Sequence, residues 1–161
     1  MDRVYYEFPR RIDFERHYGF KGDLRYLVRV MASIHGKSGS MEFDTQGPNV
    51  KRNVDMVKAR REVTVEVVKA KVDFVKLTAA NTERELPSIP LNGTVDFRVT
   101  VMYSYFDKNF DRLPLPSDIF LVRSILNGDL ALQVTSIEGQ GRTLPEEIAN
   151  TIETQLENFK G

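Results

Sequence analysis

His17 and His35 are the only imidazoles in the chain, and cysteine is absent. Those two residues would have to carry any histidine-based metal or proton-transfer chemistry. Neither has a partner at a telling spacing, because His-x-x-x-His and His-x-x-Glu-His patterns do not occur. The missing cysteines exclude disulfide staples, thiolate nucleophiles and cysteine-ligated zinc or iron–sulfur centres. His17 therefore reads as a loop residue at a core edge and His35 as the mark of a hairpin tip.

Other motifs fail on spacing. Gly36-Lys37-Ser38 has the ending of a phosphate loop, but the first glycine position of Gly-x4-Gly-Lys-Ser is Met31. No amphipathic helix follows to point amides at a phosphate, so Gly36 to Ser40 reads as a linker-like hairpin tip. Gly-x-Ser-x-Gly nucleophile elbows do not occur. Asp73 and Asp96 fall inside strand-like runs, where aspartate is depleted. Both fit a solvated strand face, with Asp96 beside Arg98. Lys51, Arg52, Lys58, Arg60, Arg61, Lys69, Lys71 and Lys76 form the best basic stretch. Phe74 is its only aromatic, and Asp55, Glu62, Glu66 and Asp73 interleave with it, which argues against a nucleic-acid surface. The chain is expected to have no catalytic residues, no metal site and no cofactor, and not to be an enzyme.

The elements that remain describe a scaffold. Residues 93 to 106 alternate strictly, with Val95, Phe97, Val99, Val101, Tyr103 and Tyr105 on one face. Asp96, Arg98, Thr100 and Ser104 lie on the other, as a strand with one buried face requires. Period-two matches from Leu24 to Ile34 predict another strand, although Leu24, Leu27, Val28 and Met31 also fit a helix. Val63, Val65 and Val67 are in phase, while Val68, Ala70, Val72 and Phe74 continue in the opposite phase. That slip predicts a β-bulge at Val67–Val68. Val4 to Phe8 and Met41 to Thr45 read as short strands, and 78–92 and 107–117 as loops. Ile119 to Leu126 reads as a strand or a short helix. Asn127-Gly128 is a hairpin signal leading into Leu130, Leu132, Val134 and Ile137. Thr143-Leu-Pro-Glu146 forms a capping box for a helix with the stripe Leu144, Ile148, Ile152, Leu156 and Phe159.

Length, 41% hydrophobic content and equal counts of 23 basic and 23 acidic residues fit one soluble domain spanning residues 1–161. No apolar run approaches the roughly 20 residues of a transmembrane helix. The opening residues lack a secretory layout, so the chain is expected to be cytoplasmic, or exported with its signal removed.

Residues 93–160, through the strand Asn127 to Gly141, the Leu144-Pro145 junction and the amphipathic helix, resemble bacterial tubular lipid-binding domains. The resemblance implies curved antiparallel strands wrapped around a long helix, with an apolar groove for acyl chains. The expected architecture is α+β, a long twisted antiparallel sheet with the C-terminal amphipathic helix packed across it. The expected role is a non-catalytic binding module. It would hold an apolar or lipid-like ligand between sheet and helix, against Val95, Phe97, Val99, Val101, Tyr103, Tyr105, Ile148 and Ile152. The alternative is a structural or assembly subunit that pairs with a protein partner, or with itself, through edge strands and loops.

Overall fold

A computed structural model describes residues 8–44, 56–69, 73–106 and 109–158. Its strands are β1 (Phe14–Tyr18), β2 (Ser38–Asp44), β3 (Met56–Lys69), β4 (Asp73–Lys76), β5 (Gly93–Phe106), β6 (Arg112–Asn127) and β7 (Asp129–Glu138). The helices are α1 (Leu24–Ile34), α2 (Ala79–Glu85) and α3 (Pro145–Asn158). All strands pair antiparallel in the order β1-β7-β6-β5-β3-β2, with β4 on the same edge of β3 as β2. The fold is α+β, a curled antiparallel sheet whose inner face carries α1 and the C-terminal helix α3 side by side.

The strict alternation of β5 does what it predicts. Val95, Phe97, Val99, Val101 and Tyr103 are buried on the inner face, against Val65, Val67, Phe120 and Val122 of the neighbouring strands. The β6–β7 connection at Gly128 has φ +82°, the left-handed conformation for which Asn-Gly is suited. Ile119 to Leu126 is strand, part of β6.

Several expectations change. Leu24–Ile34 is helix, not strand. The Asp23 carboxylate caps it by accepting the Tyr26 amide at 2.8 Å, and Leu24, Leu27, Val28, Met31 and Ile34 are buried. Tyr26, Val30 and Ala32 share a period of two with Leu24, Val28 and Ile34, which hid the buried helical stripe. His35 is the residue that ends α1, not a hairpin tip.

The phase slip at Val67–Val68 is not a bulge, because β3 pairs with β5 in unbroken register from Ala59 to Val67. The chain instead reverses after Lys69 and returns as β4. Val68 and Phe74 pack on the outer face with Phe8 and Leu121. Residues 78–92 are not all loop, since they contain α2, capped by the Thr78 hydroxyl, and a single 3-10 turn.

Likewise β6 begins at Arg112, inside the expected 107–117 loop. Pro114 and Pro116 are tolerated there because β7 stops pairing at Ile119, leaving that side of β6 an edge. Of the expected Val4–Phe8 strand only Phe8 is described, and Ala70, Val72 and Phe159 also lie outside the described residues.

Candidate functional site

The structure places Val95, Phe97, Val99, Val101, Tyr103, Ile148 and Ile152 together between sheet and helices. Their exposure is between 0 and 5%, so a water-sized sphere scarcely reaches them. Tyr105 lies at the rim, half-buried against the same cluster. α1 lies beside α3 on the same face of the sheet, and its Leu24, Leu27 and Val28 are fully buried. A helix that the period-two reading had assigned to the sheet thus joins α3 in covering its inner face.

Tyr103 ends this dry face in a polar knot. Its hydroxyl donates to Asp118 Oδ2 at 2.6 Å. With that hydrogen committed, the Tyr103 oxygen accepts from the Thr143 hydroxyl, also at 2.6 Å. Asp118 further accepts the amides of Thr143 at 2.9 Å and Gly141 at 3.0 Å. Burial, and then the hydrogen bond to Asp118, push the Tyr103 hydroxyl well above its ordinary pKa.

Two register shifts flank the carboxylate, one between Val101 and Tyr103 opposite β6 and one between Ile119 and Phe120 opposite β7. Bulges of this kind re-aim a side chain. Gly139 completes the knot: its φ is +117°, and a Cβ there would sit 2.7 Å from the Asp118 Cα and collide with its carboxylate. Thr143 is consequently turned inward and is not the cap of α3. The capping interaction falls one residue later, where Glu147 accepts the Leu144 amide at 2.6 Å.

Beyond the knot the sheet outruns its helices. The far ends of β3, β5 and β6 project with β2 as an arm. Ser38, Arg60, Tyr105, Phe106 and Arg112 border a hollow there of about 340 Å³. Arg112 stacks over the Phe106 ring at 4.9 Å and donates to Ser104. Arg60 reaches Ser38 at 3.4 Å, with the Glu62 carboxylate 3.9 Å away. Phe106 is 54% exposed and Phe110 85% exposed. Phe110 also holds φ +64°, the only positive φ at a non-glycine residue among those described.

Several other chemistry-bearing residues are engaged structurally. On the outer face, Arg98 grips Glu66 through two bonds of 2.8 and 2.9 Å and lies 3.9 Å over the Phe74 ring. Arg123 grips Asp96 through two bonds of 2.9 Å and lies 4.8 Å over Phe8. Asp96 thus lies on the same face as Arg98 and pairs across to β6. Lys69 meets Glu85 at 3.1 Å. His17 meets Glu15 at 2.8 Å on the exposed side of β1. His35 Nδ1 takes the Val65 amide at 2.9 Å, which makes it an anchor between α1 and β3.

No group of three or more His, Asp or Glu residues able to hold a metal ion occurs among the described residues. Among them, too, no helix is long and apolar enough to cross a membrane.

No protein-family model, no curated protein and no solved structure matches this chain. Phe110 and Arg112 were hard to find from sequence because they sit in a stretch that Pro114 and Pro116 mark as loop, while Phe106 ends a strand whose pattern marks only its inner face. The available signal was a Phe beside an aspartate in a turn, where Gly or Asn is the ordinary choice. Asp118 was hidden for a different reason, since only the paired bulges show that it turns inward.

Proposed function

We propose that the protein is a non-catalytic binding subunit that grips an acidic segment of a protein partner with the projecting end of its sheet. Phe110 carries this reading. A bulky residue with positive φ costs roughly 1 kcal/mol relative to Gly or Asn at the same place, and here it buries almost nothing in return. Exposure and strain at one aromatic residue have a ready use in a contact made outside the chain. Tyr105, Phe106, Arg60 and Arg112 beside it supply the aromatic and arginine composition in which binding hot spots are rich. Two guanidiniums on the hollow favour a partner that brings carboxylates. The dry interior between sheet and helices supports placing the interaction on this surface and not inside.

The test is site-specific photocrosslinking in the source cells from position 110, with position 91 as an exposed control. A discrete protein adduct from 110, absent from 91 and lost with Arg112→Glu, is expected. Equal adducts from both positions, or none from 110, would overturn the reading. A self-adduct of doubled mass would identify the occupant as a second copy. A lipid mass retained in native mass spectrometry would return the role to an internal ligand.

A further inference from the structure

A second hollow lies at the opposite end of the sheet, where the connection from β1 into α1 meets the last turns of α3. Tyr18, Phe20, Tyr26, Glu153 and Glu157 border about 510 Å³ there. Three of these are aromatic rings and two are carboxylates, in a chain with 16 aromatic residues in all (6 Tyr, 10 Phe and no Trp).

Local structure builds this corner. Tyr26 sits in the first turn of α1, its amide fixed by the Asp23 cap at 2.8 Å. Phe20 and Tyr26 have ring centroids 5.7 Å apart, tilted by 41°. Gly22 permits that approach, because a Cβ there would stand 2.7 Å from Phe20 Cζ and 3.0 Å from Tyr26 Cδ1. Tyr18 is tied to α3 by its hydroxyl, which reaches the Ala149 carbonyl at 3.4 Å. Glu153 is held by Arg16 at 2.8 Å from the strand side. Glu157, exposed on the next turn, forms no ion pair among the described residues. Burial and then the Glu153 charge raise the Tyr18 pKa, with Arg16 pulling the other way. Arg16, which pairs with Glu153, and Lys21, exposed on the rim, oppose the negative charge of this corner.

We propose that this corner binds an alkylated ammonium group, of the trimethylammonium type. Such a cation is poorly hydrated and spreads its charge over methyl groups. Ring faces then attract it through their quadrupoles, while its methyls fill apolar space. A primary ammonium gains less, because leaving water costs it more. Glu157 adds long-range attraction, while the Glu153 charge is largely compensated by Arg16. The group could belong to a choline lipid, a methylated lysine or a free small solute, and the shared chemistry is the trimethylated nitrogen.

Isothermal titration of the full chain with choline chloride, and with its neutral isostere 3,3-dimethylbutan-1-ol, tests the idea. Choline is expected to saturate one site and the isostere to bind at least roughly tenfold more weakly. Tyr26→Leu should weaken choline by about tenfold, and Lys21→Gln should tighten it about twofold. Glu157→Gln, an exposed change that leaves the fold intact, should weaken choline two- to threefold, by loss of screened attraction, and leave the isostere unaffected. Equal binding of choline and isostere, or no saturable choline binding to the unmodified chain, overturns the proposal.

Sedimentation with phosphatidylcholine vesicles but not phosphatidylglycerol vesicles would assign the source to lipid. Preference for a trimethyllysine peptide over its unmethylated form would assign it to protein. Choline binding without either would assign it to a free solute. This site is separate from the arm, so Phe110→Asn should not change its choline affinity.

Discussion

Strand β5 runs through two environments, and their contrast divides the molecule. From Val95 to Val101 its inner face lies under α1 and α3, dry and filled by apolar side chains. From Tyr103 onward the helices are gone, and the face passes through the Tyr103–Asp118–Thr143 knot to Tyr105 and the exposed Phe106. The first stretch holds the protein together. The second, anchored at the knot, is free to meet something else. Stability should therefore be concentrated on one side of Asp118 and recognition on the other.

The largest expected effect tests the covered half. Phe97 and Phe120 are fully buried at its centre. Phe97→Ala should cost about 3–5 kcal/mol by chemical denaturation, through lost transfer free energy and the cavity left behind. A loss below about 1 kcal/mol would mean that the core is not packed as described, and would restore room for an internal ligand.

The knot should come next. Asp118→Ala strips the acceptor from the Tyr103 hydroxyl and from the amides of Gly141 and Thr143. Leaving the Tyr103 hydroxyl and the Thr143 amide short of an acceptor in a buried place should cost about 3 kcal/mol. The knot also sets an alkaline limit. Tyr103 holds its proton more tightly folded than unfolded. Its contribution is thus complete below the unfolded tyrosine pKa near 10 and is lost as pH rises through the higher folded value. Thermal midpoints should fall above about pH 10, and Tyr103→Phe should make that fall shallower while lowering stability at neutral pH.

How much of this was legible in the sequence depended on which period each segment obeys. β5, the Asn127-Gly128 turn and α3 each carry one unambiguous signal, and all three are where the pattern puts them. α1 does carry a helical stripe, Leu24, Leu27, Val28, Met31 and Ile34, but Tyr26, Val30 and Ala32 also fall in phase with Leu24, Val28 and Ile34, so a count at period two outweighed it. The expected sheet–helix groove came from the resemblance to tubular lipid-binding domains and not from the period of any one segment. The outward Phe110, the inward Asp118 and the ring corner at Phe20 and Tyr26 depend on φ angles, bulges and long-range neighbours that no local period encodes.

His35 shows the same limit at smaller scale. Nothing in the sequence ties it to Val65, yet its Nδ1 accepts that strand's amide at 2.9 Å, where α1 meets β3. His35→Ala should cost about 1–2 kcal/mol, by leaving a part-buried N–H without its acceptor. His35→Asn, whose side-chain oxygen can accept the same amide, should recover part of that loss. Equal stability of all three proteins would show that the bond contributes nothing to holding helix and sheet together.

The smallest effect on stability is the most informative about the projecting half. Phe110 is 85% exposed at φ +64°. Phe110→Asn removes the aromatic ring and suits the left-handed backbone better, so it should raise stability slightly, by up to about 1 kcal/mol. A residue kept for folding would move the midpoint the other way. If the arm exists to bind, the same substitution that stabilises the isolated protein should abolish the crosslink formed at a neighbouring probe position, such as Phe106. Gain of stability with loss of contact separates a recognition residue from a core one. A loss of stability in Phe110→Asn, with the contact intact, would assign the ring to the fold and leave the arm without a role.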